Sequence, residues 1–243
     1  MSIFAKDWTG NPFVLFGRAH LVGLVIVVLT AALFIILGRR TSETGKKNLR
    51  YLLAGVLLVT EMSWHLWNYF TGQWTIQTML PLHLCSALVW LSIYMLLRKS
   101  ERIYEFAYLL GIAGALQALL TPDAGRYGWP HLRFSQVLIS HGAIITAALY
   151  MTLVEDFRPT GASVKRVILG SNLYMLAVFI INFILGSNYM FIARKPDTAS
   201  LLDVLPLWPW YIAIIELLGL GFVVLFYSPF AIQDWRRQVD KPE

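Results

Sequence analysis

His83 and Cys85 stand two residues apart in the stretch Met79–Ser86, MLPLHLCS, and Cys85 is the only cysteine of the chain. A cysteine and a histidine at the mouth of an apolar helix are the parts of a nucleophile–base pair, in which an imidazole takes the thiol proton and the sulfur attacks an electrophile. Pro81 is placed in the first turn of that helix, where its missing N–H costs nothing. At i, i+2 the two side chains do not share a helix face, so Cys85 has to find its partner on another helix. His141 sits at a matching depth in a later apolar segment. Against this chemistry stands the plainer role of a lone cysteine as a small buried hydrophobe, because thiol reactivity requires an electropositive, partly exposed setting.

Other polar side chains interrupt the apolar segments, and in a membrane each is costly enough to be a site candidate. They are His20, Glu61, His65, Asn68, Gln117, Asn182 and Glu216. Glu61, His65 and Asn68 are spaced i, i+4, i+7 and share one helix face; the same face would serve equally to hydrogen-bond a neighbouring helix. All of these residues fall in the outer half of their segments, with few counterparts in the inner half. That asymmetry predicts one polar cavity open to the outer leaflet, whereas a transporter places its site near the midplane. His20, His65, His83 and His141 are scattered and do not form a ligand motif. A single cysteine excludes an internal disulfide and a cysteine-based zinc site. No metal and no cofactor is expected.

The elements that must position these groups follow from composition. Of the 243 residues, 57% are hydrophobic and 14% charged, with a mean hydropathy of +0.60; a soluble domain carries about 25% charged residues. The chain is therefore expected to be an all-α, polytopic membrane bundle. A span needs about 20 apolar helical residues, and seven segments qualify, at about 19–38, 49–70, 80–98, 103–120, 134–154, 165–186 and 208–228. The fourth is short and carries Gln117. Gly111, Gly114 and Ala115 give it a small-residue side for close helix approach.

Fourteen of the 20 Lys and Arg residues fall in alternate loops and the tail (Gly38–Arg50, Arg98–Arg102, Arg158–Arg166 and Arg236–Lys241). Positive charge marks the cytoplasmic side, so the N-terminus is predicted outside and the C-terminus inside. The same distribution accounts for the net charge of +6 without nucleic acid. The expected domains are an outer interfacial arm over 1–18, a seven-helix transmembrane domain over 19–228 and a cytoplasmic tail over 229–243. The first apolar segment lacks a basic leader and a small-residue cleavage site, so no removable signal peptide is expected. Ser187–Leu207 is long for a bundle connection and suggests a lid or binding loop. Nothing in the sequence specifies an oligomeric state.

Several stretches together resemble the YwaF-like bacterial membrane proteins, which group with the transmembrane protein 164 acyltransferase family. They are Leu80–Cys85 (LPLHLC), Thr121–Asp123 (TPD) with Pro130 and Phe134, His141–Gly142 (HG), Asn188–Met190 (NYM) with Lys195–Pro196, Ser200–Asp203 (SLLD) and Trp208–Tyr211 (WPWY). The resemblance runs over nearly the whole chain. It implies a multi-helix bundle in a bacterial plasma membrane. Animal members are regarded as cysteine-dependent acyltransferases that move fatty acyl chains between phospholipids with a cysteine and a histidine. A more distant group, the androgen-induced lipid hydrolases, is similar with threonine in place of cysteine.

Carried over residue by residue, His141 in its HG context is the base and Cys85 the nucleophile. In the animal members the cysteine directly follows the proline. Here Leu82 follows Pro81 and the cysteine comes one turn later, on a similar helix face. The substrate implied is a membrane phospholipid or lysophospholipid acyl ester near the outer leaflet. Asn182, His83 or the N-terminal amides of the third span are candidates to hold the oxyanion. His20, Glu61, His65, Asn188 and Glu216 are supporting residues. Arg194 and Lys195 either meet a lipid phosphate or anchor the loop at the interface. The rival expectation is a non-enzymatic receptor, or a carrier of a small polar molecule, using the same outer cavity.

Overall fold

Seven long helical segments follow one another in the computed structural model, which describes residues 2–196 and 201–239. They are α1 (Arg18–Arg40), α2 (Glu43–Phe70), α3 (Leu84–Arg98), α4 (Glu101–Leu120), α5 (Leu132–Leu153), α6 (Gly161–Leu185) and α7 (Trp210–Val239). Two short 3₁₀ turns, Tyr189–Phe191 and Leu201–Val204, lie between α6 and α7. No strand occurs among the described residues. Ser200 of the SLLD stretch and the last four positions of the expected tail lie outside the described residues.

Five of these helices, α1, α4, α5, α6 and α7, are long and apolar enough to cross a membrane. α2 is long enough, at 28 residues, but carries Glu43, Lys46, Lys47, Arg50 and Glu61, and α3 is apolar but only 15 residues long. Local signals fix several ends. Ser42 caps α2 by accepting from the Gly45 N–H, and Thr160 and Ser163 form a reciprocal capping box at the start of α6. Gly186 closes α6 in a left-handed conformation, φ 64°, which a residue without Cβ adopts freely.

α5 is the hub. Most of its residues are buried, and it packs against α1, α2, α3 and α4. Leu57, Met95, Leu96, Leu109, Ile144 and Met151 have no exposed surface and form the centre of the core. In lipid such burial stabilises through close packing, since hydrocarbon tails are as apolar as leucine. α1, α6 and α7 turn long apolar faces outward, including Val25, Val28, Leu29, Phe183, Ile184 and Leu217.

Three expectations are corrected. The third helix begins at Leu84, with His83 as its N-cap, so Pro81 lies ahead of it in a turn. Tertiary bonds hold the chain ahead of it: Tyr189 Oη accepts from the Leu80 N–H, and Tyr174 Oη donates to the Leu82 carbonyl, a group a helix would use. The seventh helix runs on to Val239 through Pro229, and Arg158 pairs with Asp234 on the extension at 2.7 Å. Buried charge also lies at the end of the bundle away from Cys85, in the half expected to have few polar residues. Arg50 meets Glu155 at 2.9 Å, Lys99 pairs with the same carboxylate, and Arg166 pairs with Glu105 at 2.8 Å.

The N-terminal arm is tied down across the C-terminal end of α2 and the N-terminal end of α5. The Ile3 carbonyl accepts from the Leu132 N–H, Trp67 Nε1 donates to the Phe4 carbonyl, and Arg126 and Tyr127 donate to the Lys6 carbonyl. Gly128 makes this approach possible, because a Cβ there would lie 2.4 Å from the Asn11 carbonyl oxygen.

Candidate functional site: a thiol and two imidazoles in opposite tautomers

Cys85 is the second residue of α3, and His141 is on α5, which packs against it. Glycines of α4 set their relative depth. A methyl group added at Gly111 would sit 3.4 Å from Leu88 and 3.7 Å from Ile144, so these two residues share one level. α3 and α5 run in the same direction, separated by α4. Cys85 precedes Leu88 by three residues, and His141 precedes Ile144 by three. At 1.5 Å per residue both stand about 4.5 Å above that common level. Gly114, about one turn further along α4, lies against Cys85: a Cβ there would be 3.8 Å from Sγ. The thiol makes no hydrogen bond among the described residues, so the pair is at matched depth but not bonded. Glu61 lies within electrostatic reach of Cys85, and Arg133 within reach of both Glu61 and His141.

The five histidines divide according to what each ring nitrogen meets. A backbone N–H can only donate and a carbonyl can only accept, so each contact assigns the tautomer of a neutral ring. In His20, Nδ1 accepts from the Phe16 N–H and Nε2 donates to the Leu119 carbonyl at 2.8 Å. In His131, Nδ1 accepts from the Arg133 N–H and Nε2 donates to the Ala5 carbonyl. In His65, Nδ1 accepts from Trp74 Nε1 at 3.1 Å, which turns Nε2–H toward Glu61 Oε1 at 3.5 Å. Both nitrogens of these three rings are committed.

The remaining two differ. His141 Nδ1 lies 2.8 Å from the Val137 carbonyl; Nδ1 therefore carries the proton and Nε2 keeps an open lone pair. His83 Nδ1 accepts from the Met190 N–H at 3.2 Å; Nε2 therefore carries the proton. No described residue hydrogen-bonds either Nε2. One ring is left as a proton acceptor and the other as a donor.

The other expected residues sit elsewhere. Glu216 accepts from Asn172 Nδ2 at 2.7 Å across α6 and α7, and His20 is closed between α1 and α4. Asn182, 2% exposed, spends its amide on the following loop: Nδ2 donates to the Tyr189 carbonyl, and Oδ1 accepts from the Ser187 hydroxyl and the Tyr189 N–H. Asn188 brackets Arg194, donating to its carbonyl and accepting from its N–H. Lys195 Nζ donates to the Leu205 carbonyl at 2.7 Å, while Arg194 is exposed. A groove of about 300 Å³, lined by Met62, His65, Leu66, Tyr69, Trp74 and Trp90, opens beside α2 and α3.

Arg133, which the sequence analysis did not single out, is a further member of the cluster. Its guanidinium lies 4.1 Å from the centre of the Trp64 ring, donates twice to the Asp123 carbonyl and once to Gln136 Oε1. The available signal was its place in the first turn of α5, ten residues after the aspartate of TPD. Among the described residues no group of three metal-ligating side chains converges.

The family model described as the TMEM164 family matches residues 15–227, which takes in every one of these side chains. The chain belongs to the TMEM164 family. No curated protein and no solved structure matches it. Family membership and the apolar helices together make this TMEM164-family chain a multi-pass membrane protein.

Proposed function

We propose that the protein is a membrane-embedded lipid acyltransferase or acyl hydrolase, in which Cys85 is the nucleophile and His141 the general base. The observation that carries this reading is the open lone pair on His141 Nε2, at the depth of Cys85 on a helix packed against α3. A carbonyl acceptor at Nδ1 fixes the tautomer that a base requires. The position of Cys85 in the first turn of α3 adds to this. No side chain caps that turn, and the positive end of a helix favours a thiolate.

In the first half-reaction the thiol proton passes to His141 Nε2, the sulfur bonds to the acyl carbon, and the lysolipid oxygen leaves with the proton from His141. In the second, a lysolipid hydroxyl or water attacks the thioester and the thiol is restored. The substrate is a phospholipid acyl ester of the outer leaflet. The seven segments are read as seven crossings with the N-terminus outside, as the positive charge of the alternate loops favours, in a bacterial plasma membrane.

The deciding experiment incubates purified protein with phosphatidylcholine carrying a labelled acyl chain and follows the lipid products by mass spectrometry. Cys85→Ala and His141→Ala are each expected to abolish acyl transfer or hydrolysis while the protein still folds. The double variant should be little worse than either, because residues acting as a unit are non-additive. Full activity in Cys85→Ala refutes the nucleophile.

A further inference from the structure

We propose that His83 is the oxyanion donor of this site, and that the turn Asn188–Phe191 serves to hold its ring in the Nε2–H form. For the reaction His83 depends on the Cys85–His141 reading above; for the state of its ring it does not.

The turn is strained. Met190 and Phe191 are both left-handed, φ 58° and 54°, a region that side chains other than glycine seldom enter. Such strain persists only where the surroundings over-determine it, and here they do. Asn182 holds the N–H and the carbonyl of Tyr189. Tyr189 Oη donates to the Ile76 carbonyl at 2.7 Å and accepts from the Leu80 N–H at 2.9 Å. Tyr211 Oη donates to the Phe191 carbonyl. The outcome is a Met190 N–H aimed at His83 Nδ1, with the rings of Tyr189 and Phe191 centred 5.3 and 5.2 Å from the imidazole.

The chemistry needs two histidines in opposite states. As the Cys85 sulfur bonds to the acyl carbon, its proton moves to His141 Nε2 and the carbonyl electron pair moves to oxygen. His83 Nε2–H donates to that oxyanion and keeps its own proton. Collapse restores the carbonyl and breaks the ester C–O bond, and the departing lysolipid oxygen takes the proton from His141. An acceptor ring and a donor ring are required, and the backbone provides a carbonyl to one and an N–H to the other. Of the expected oxyanion holders Asn182 is excluded, since its amide is spent inside the loop. His83 is also the N-cap of α3, two residues ahead of Cys85, so donor and nucleophile ride on the same short piece of backbone.

The test compares two electrophiles on the full-length protein in detergent micelles. Phosphatidylcholine with a labelled acyl chain develops an oxyanion; iodoacetamide, displaced directly at carbon, does not. His83→Leu is expected to lower kcat for acyl transfer about 10²- to 10³-fold with KM within about threefold, and to leave alkylation of Cys85 within about twofold. His83→Gln, which retains a side-chain N–H, should recover at least about tenfold of the loss. The nitrogen-15 spectrum of histidine-labelled protein should show His83 protonated at Nε2. Acyl transfer unchanged in His83→Leu, equal loss of both reactions, or a proton on Nδ1 each overturns the assignment. Acyl transfer lost in Cys85→Ala but unchanged in His83→Leu defeats only the oxyanion role. Full activity in Cys85→Ala overturns both readings.

Discussion

Truncating Asn182 to alanine should open the Ser187–Ile192 turn without unfolding the bundle. The side chain makes three hydrogen bonds, to the Tyr189 carbonyl at 2.9 Å, the Tyr189 N–H at 2.8 Å and the Ser187 hydroxyl at 2.8 Å. Each such bond contributes about 1 kcal/mol net, and a buried N–H left without a partner costs about 1–3 kcal/mol more. Tyr189 is fully buried, so its orphaned amide reaches a new partner only if the turn opens. Opening recovers part of the desolvation, leaving about 3 kcal/mol. At about 1.4 kcal/mol per tenfold, exchange of the Tyr189 and Met190 amides should accelerate about 100-fold. Hydrogen exchange followed by mass spectrometry on peptides covering 187–192 measures this directly, with the α5 segment around Ala147 as the unchanged control. Acceleration below about threefold would refute the claim that Asn182 organises the turn, and with it the source of the strain at Met190.

Two further outcomes test the ends of the bundle. Loss of solvation holds the buried His131 imidazole below its ordinary range; the Ala5 carbonyl opposes this and the Arg126 charge adds to it. A ring whose affinity for protons is depressed by folding contributes stability above its unfolded value, about 6.5, and that contribution is lost as pH falls below it. Protonation would also set a donor at Nδ1 against the Arg133 N–H. Amides of residues 3–6 should therefore lose protection between about pH 7 and 5, and equal protection at both refutes the clamp. At the end of the bundle away from Cys85, Glu155→Gln leaves buried Arg50 without its counter-charge and should cost about 3 kcal/mol in a denaturant titration. Glu43→Gln, in an exposed pair with Lys46, should cost nothing measurable; similar losses in the two variants would show that burial does not govern these pairs.

Helix positions were legible because hydropathy and length constrain them directly. The misplaced ends have one cause in common: tertiary contacts that no local pattern encodes. Pro81 reads as a first-turn proline until Tyr189 and Tyr174, about a hundred residues away, are seen to hold the backbone of Leu80 and Leu82. The stretch from Pro229 on reads as a cytoplasmic tail until Asp234 is paired with Arg158. Residue types at the site were equally legible, since a thiol and a histidine within apolar helices are rare and costly. Their roles were not. Whether an imidazole is a base, a donor or a structural strut depends on backbone groups that approach it from other segments: Leu119 for His20, Met190 for His83, Ala5 for His131. His141 takes its defining contact from its own helix, the carbonyl four residues back, and a sequence alone could in principle have supplied it.

The relative levels of Cys85 and His141 are set by a helix that carries neither of them. α4 presents Gly111 to both Leu88 and Ile144, and Gly114 to Cys85. Small residues at these points let α4 sit close to α3 and α5 together, which brings their parallel ladders into register. α4 is also where the helix loosens into a π-helical turn, Ala107–Gly111, ending on the first of those glycines. A π-turn inserts one extra residue into the helix, rotating everything beyond it by about 100° at 3.6 residues per turn. Without that insertion Gly114 would leave the face that meets Cys85, and a bulkier neighbour would come against the thiol. Glycine spacing in the sequence announced a close approach; the π-turn decides which surface of α4 makes it.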